Sequence, residues 1–179
     1  MSGLEARAEE WVAAFHNLRH LVRARDWLVV LQPDADEALR LAALTHDVER
    51  NFPGGPVYDP GTMTPGEEGY LREHAARSAL IVGGWLLEQG ADVALVAEVR
   101  RLILEHEWGG DERQDLVQAA DSLSFLEVNG DEVVQVWVRS GRCSAERGRA
   151  QLLHMRDRIR LASARPAAEA LCADAVTRV

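Results

Sequence analysis

The sequence predicts an all-α fold, and three observations predict it. Apolar residues recur at intervals of three and four along almost every segment. Proline-rich, glycine-rich and asparagine-containing stretches fall mostly between those segments. The one valine-rich, strand-like run, "EVVQVWVR", has no second run to pair with, and a lone strand is not stable in water, so it too reads as helical.

Each element follows from local signals. From Glu5 to about Trp27 the apolar set Trp11, Val12, Phe15, Leu18 and Val22 keeps a helical spacing. Asp34 or Asp36 can cap a second helix through "DEALRLAALTHD". The stretch from Asn51 to Gly69 is rich in proline and glycine and reads as a long loop, of the kind that tends to be functional. A helix follows from about Pro65 to Glu88, stopped by Gly90, and another from about Asp92 to Glu107, with Gly109 and Gly110 placed to end it. "DERQDLVQAADSLSFLEV" supplies the next, capped by Asp111 and closed by Asn129 and Gly130. A long helix is expected over about Ser144 to Ala164, and Pro166 begins a short terminal one.

At 179 residues the chain can bury a sizeable core as one domain. A net charge of −9 and a pI near 5.1 argue against a nucleic-acid surface built on bulk positive charge. They leave room for a local basic pocket that takes an anionic metabolite. No run reaches the length of a membrane span, and the N-terminus lacks the basic then apolar order of a leader. Cys143 and Cys172 lie far apart without metal-type spacing, which suits a reducing compartment, so a cytoplasmic protein is expected. There is no GxxxxGK[ST], no GxGxxG and no serine nucleophile elbow.

The chemistry-bearing residues are histidines and aspartates at helix positions. An apolar run ends on adjacent His46 and Asp47, and a buried imidazole and carboxylate need partners. His20, His74 and His106 fall on separate predicted segments, and Asp121 sits inside the apolar-flanked "VQAADSLSF". His20 has small or polar neighbours one turn away, and His74 shares its face with Tyr70, Arg77 and Ser78. Imidazoles and carboxylates together suit a divalent transition metal.

The order His20, His46-Asp47, His74, His106, Asp121 resembles the H…HD…H…H…D signature of the HD-domain metal-dependent phosphohydrolase superfamily. "LAALTHDVER" resembles that family's "LAALLHDIGK", "HAARSALIVGGWL" its next histidine helix, and "LILEHEWGG" with "VQAADSLSFLE" its closing histidine and aspartate pair. The resemblance implies a single compact HD-type helical bundle over residues 1–179. Its motif core would span about 15–127, with helices of 131–179 packed on it. It implies that His20, His46, Asp47 and Asp121 hold a first divalent ion, with His74 and His106 holding a second that Asp47 bridges to the first. Iron, manganese, cobalt, magnesium, nickel and zinc all remain open. The implied activity is hydrolysis of a small phosphorylated substrate, a phosphomonoester, phosphodiester or nucleotide, by metal-activated water. Arg50 and Arg77 would receive the phosphate oxygens.

Two alternatives stay open: a di-iron oxygenase built on the same ligands, and a non-catalytic metabolite-binding protein. The chain also departs from the pattern. "VER" in place of "IGK" removes a glycine that allows close backbone approach. Glu49 is reminiscent of an acidic residue in guanosine-tetraphosphate hydrolases, which lack the two middle histidines. Glu107 reads as a helix-end residue on solvent, with a base or proton carrier beside the site as the alternative, His16 as a neighbour of the site or a surface residue, and His154 as structural.

Overall fold

Four helix starts are written in short polar side chains. Asp36 accepts from Leu39 N at 3.0 Å, Asp92 from Ala94 N at 2.8 Å and Ser144 from Arg147 N at 3.2 Å. Asp111 accepts from the backbone N–H groups of Arg113 and Gln114, while the Gln114 side chain reaches back to Asp111 N at 2.9 Å. Each bond satisfies an amide that the helix itself leaves unpaired.

The computed structural model describes residues 3–179. The chain runs through α1 (Gly3–Val12), α2 (Leu18–Leu31), α3 (Glu37–Thr45), a 3₁₀ turn (Val48–Asn51), α4 (Glu68–Glu88) and α5 (Val93–Leu104). Next comes α6 (Glu112–Ser124), which continues through a π-helical stretch (Phe125–Asn129), the single turn α7 (Gly130–Glu132) and a second π-helical stretch (Val133–Val138). The last elements are α8 (Ala145–Asp157), a 3₁₀ turn (Ala162–Ala164) and α9 (Arg165–Arg178). The fold is all-α, with no strand among the described residues, and no helix there is long and apolar enough to cross a membrane.

Helix α2 packs against α3 and α6, α4 against α5, α3 against α5, and α8 against α9. One buried cluster joins α1 to α6, with Leu21, Leu28, Leu41, Leu44, Val82 and Leu102 at its centre. A second joins the far side of α6 to α8 and α9 through Leu123, Leu126, Leu152 and Ala168. Trp27, Leu31 and Leu161 touch both clusters. Helix α6 gives Val117 and Ala120 to one and Ala119 and Leu123 to the other. It is the shared wall.

Several elements differ from the sequence expectation, each for a local reason. The first helix breaks at residues 13–17, where His16 N donates to Asn51 Oδ1 at 3.0 Å instead of into a helix. The apolar spacing survives the break because Trp11 and Phe15 pack on a common aromatic cluster, Trp11 stacking on Trp85 at 4.6 Å. Helix α5 ends at Leu104, so His106 lies in the turn beyond it, and Gly109 takes a φ of 71° as that turn closes. Gly130 does not stop α6; it is helical, and its missing side chain lets α9 approach, since a Cβ there would meet Ala175 at 3.3 Å. The valine-rich run is helical, as read, but π-wound. Helix α8 stops at Asp157, and α9 is longer than the short helix expected.

Candidate metal centre

Five elements deliver the predicted ligands to one place. His20 stands in the first turn of α2, His46 caps the end of α3, and Asp47 follows it. His74 lies on α4, His106 in the turn after α5, and Asp121 in the middle of α6. All six are buried.

Each imidazole is held by its Nδ1, and the partner fixes the tautomer. His46 Nδ1 lies 2.9 Å from Ala43 O and His106 Nδ1 2.7 Å from Ile103 O. A carbonyl only accepts, so both Nδ1 atoms carry the proton. His74 Nδ1 donates to Glu49 Oε1 at 2.8 Å. Ser124 Oγ gives its own proton to His20 O at 2.7 Å and therefore accepts from His20 Nδ1 at 2.9 Å. In the neutral form, the one that binds a metal, all four rings thus turn an Nε2 lone pair inward. Metal-binding histidines are oriented in this way.

His20 Nε2, His46 Nε2 and Asp121 Oδ1 form a triangle with sides of 3.1, 3.2 and 3.3 Å. Donor atoms bonded to one ion at about 2.1 Å lie about 3.0 Å apart in octahedral and about 3.4 Å apart in tetrahedral geometry. Three acceptors this close repel one another unless a cation or a proton sits among them. A second group consists of His74, His106 and Glu107. Glu107 Oε1 is 3.4 Å from His106 Nε2 and 4.0 Å from His74 Nε2. His74 Nε2 is fully buried and makes no hydrogen bond, although Asp47 Oδ1 lies 2.9 Å away. The ring centroids of His46 and His106 are 5.0 Å apart, so the two groups are neighbours.

Asp47 is placed beside His74 and belongs to neither group of three. Its Oδ1 accepts from Arg50 Nε at 2.6 Å, and Asn17 Nδ2 donates to its Oδ2 at 3.1 Å and to its carbonyl at 2.9 Å. Arg50 lines the cavity in front of the site and also donates to the Tyr70 hydroxyl at 2.6 Å. Arg77 is not brought to that cavity. It donates to Pro53 O at 3.0 Å and lies 3.6 Å from Glu49 Oε2, behind His74.

Glu107 enters the site as a member of the second group, and Arg158, Glu49 and Asn51 hold it from outside. Glu107 is not on solvent: its side chain is 9% exposed and pairs with Arg158. Arg158, at the end of α8, reaches both Glu107 and Asp121. Glu49 is buried and orients His74, and Asn51 donates to Asn17 Oδ1 at 2.8 Å, steadying the side chain that holds Asp47. His154 lines the cavity rather than the core. The neighbour of His106 in sequence was the only local signal for Glu107; Arg158 had none.

Charge follows from this packing. Burial pushes the Asp121 carboxyl up, but Arg158 and His46 more than reverse this and hold it well below the usual carboxylate range. Arg50 and His74 do the same for Asp47 against its burial, and Arg158 and His106 for Glu107. Burial and Arg50 lower His74, yet the Asp47 carboxylate beside its Nε2 and the Glu49 carboxylate on its Nδ1 prevail and push it up to about 9. Ionised carboxylates and imidazoles that draw protons mark a place where cations are favoured.

The cavity over the site has a volume of about 490 Å³. His20, His46, Asp47, His106 and Asp121 form its floor, and Pro56, Val57 and Tyr58 of the long loop line it too. Tyr58 packs on Tyr70 and Trp137 at ring-centroid distances of 5.3 and 5.6 Å. Comparison of the chain with protein-family models, with curated proteins and with solved structures finds no match.

Proposed function

We propose that this protein is a metal-dependent phosphohydrolase of the HD type, acting on a phosphomonoester, phosphodiester or nucleotide with two divalent ions. The observation that carries the reading is the convergence of four Nε2 lone pairs, each made available by an Nδ1 hydrogen bond, on three ionised carboxylates. His20, His46 and Asp121 would hold one ion; His74, His106 and Glu107 the other, with Asp47 reaching it from the side of His74. A nitrogen-rich donor set favours a transition metal over magnesium or calcium. Divalent ions bound there would lower the pKa of water and polarise phosphoryl oxygens.

The chain's own residues supply the rest. Arg50, 36% exposed at the cavity floor, can receive phosphate oxygens while keeping Asp47 in place. Arg77 acts at one remove, by facing Glu49 behind His74. Asp47, Glu49, Glu107 and Asp121 outnumber Arg50, Arg77 and Arg158 by one charge, so two divalent ions would turn the site positive toward an anionic substrate.

The test is metal analysis of protein purified without chelator, followed by an anaerobic panel of phosphate esters and nucleotides. Two equivalents of metal, metal-dependent phosphate release and a fall to about one equivalent in His74→Ala are expected. Phosphate release undiminished after the protein is stripped of its metal would overturn the reading. So would substrate-dependent oxygen uptake with iron in place of hydrolysis.

A further inference from the structure

We propose that Arg158 is the shared positioning residue of both metal groups, one guanidinium that sets two carboxylates at once. The inference rests on the reading of those groups as metal sites. Arg158 directs Nη2 to Asp121 Oδ2 and Nη1 to Glu107 Oε2. Each carboxylate therefore turns its other oxygen inward. Asp121 Oδ1 faces His20 and His46 at 3.3 and 3.2 Å, and Glu107 Oε1 faces His106 and His74 at 3.4 and 4.0 Å. The remaining nitrogen, Nε, donates to Ser122 Oγ at 2.8 Å, one residue beyond Asp121 on α6. The fork is thus engaged at each of its three nitrogens, and the side chain is only 8% exposed.

The chain fixes this arginine firmly. It sits where α8 ends, and Gln118 of α6 donates to its carbonyl oxygen while accepting from Arg160 N at 3.4 Å. Helix α6 therefore carries the ligand Asp121, the anchor Ser122 and the tether Gln118 on one element. A positive charge this close to two cations would by itself weaken their binding. The planar fork does the opposite, by holding each carboxylate in the orientation the ion needs. The sign of the effect separates the two roles. Lysine keeps the charge but has a single nitrogen, so it cannot span both carboxylates and Ser122.

The experiment is a cobalt(II) titration of metal-depleted wild type, Arg158→Lys and Ser122→Ala, with helical content followed by circular dichroism. Wild type should bind two equivalents. Arg158→Lys should lose about 10- to 100-fold in affinity at both sites, with altered cobalt visible absorption. Ser122→Ala, which frees only Nε, should show a smaller loss at both, and carries the test if the lysine variant does not fold. Unchanged or tighter cobalt binding in folded variants would overturn the proposal, as would a loss at one site alone. Impaired hydrolysis with wild-type cobalt affinity would overturn it too, because it would place Arg158 on the substrate. A wild type that binds no cobalt would instead sink the metal reading on which the proposal stands.

Discussion

Arg50 donates Nε to Asp47 and Nη1 to Tyr70, both at 2.6 Å, yet more than a third of its side chain is exposed at the cavity floor. Arg50→Ala should cut turnover or raise KM by about 10- to 100-fold, the worth of a charged hydrogen bond to phosphate. Metal content should stay near wild type, because Asn17 still holds Asp47 through its carboxylate and its carbonyl. Steady-state kinetics beside metal analysis checks this; loss of metal in the variant would make Arg50 a support of the ligands only. At this scale the sequence was informative where residue type limits the choice. Histidine next to aspartate in an apolar run has few inexpensive explanations, so His46 and Asp47 stood out. Glu107 and Arg158 did not, since glutamate at a helix end and arginine near a helix end are ordinary on a surface. Only the approach of the end of α8 to the turn between α5 and α6 makes them a pair, 51 residues apart in the chain.

Among the elements, the long loop before α4 is tied to the site at both ends, by Asn51 beside Asn17 and by the turn into the helix of His74. Arg147 of α8 holds it by donating to Met63 O at 2.8 Å, and Tyr58 donates to Gln151 Oε1 at 3.1 Å. The loop is therefore a wall of the cavity whose position depends on α8. Tyr58→Ala should raise KM about fivefold or change substrate range, with metal content intact, since an aromatic contact of this kind is worth roughly 1 kcal/mol. Unaltered kinetics across the substrate panel would reduce the loop to a connector. Proline and glycine content made the loop legible, and aspartates with free backbone amides after them made the caps legible. The break at residues 13–17 was not, because its apolar spacing serves the aromatic cluster of Trp11, Phe15 and Phe52 as well as it would serve a helix. The π-helical winding after α6 was not either. It re-aims Phe125, Val128, Asn129 and Trp137 toward the cavity, and no periodicity in so short a run announces it.

For the whole molecule, the ligands come from α2, the ends of α3 and α5, α4 and α6, so a bound ion would cross-link most of the first buried cluster. The same arrangement is costly without one. His20 and His46 bring two nitrogen lone pairs within 3.1 Å, and His74 Nε2 is buried without a hydrogen bond. Binding to the folded state alone stabilises it by about 2.7 kcal/mol when free metal is 100 times its dissociation constant. For a chain of this size that corresponds to a Tm change of roughly 5–10 °C. Removing both ions by chelation and buffer exchange should therefore lower Tm by about twice this amount while leaving the helical signal at low temperature intact, because the apolar clusters do not depend on the ions. Returning cobalt or manganese should restore it, and His74→Ala should show about half the shift. A melting curve indifferent to chelator and to added metal would mean that protons, not ions, occupy the space among these histidines.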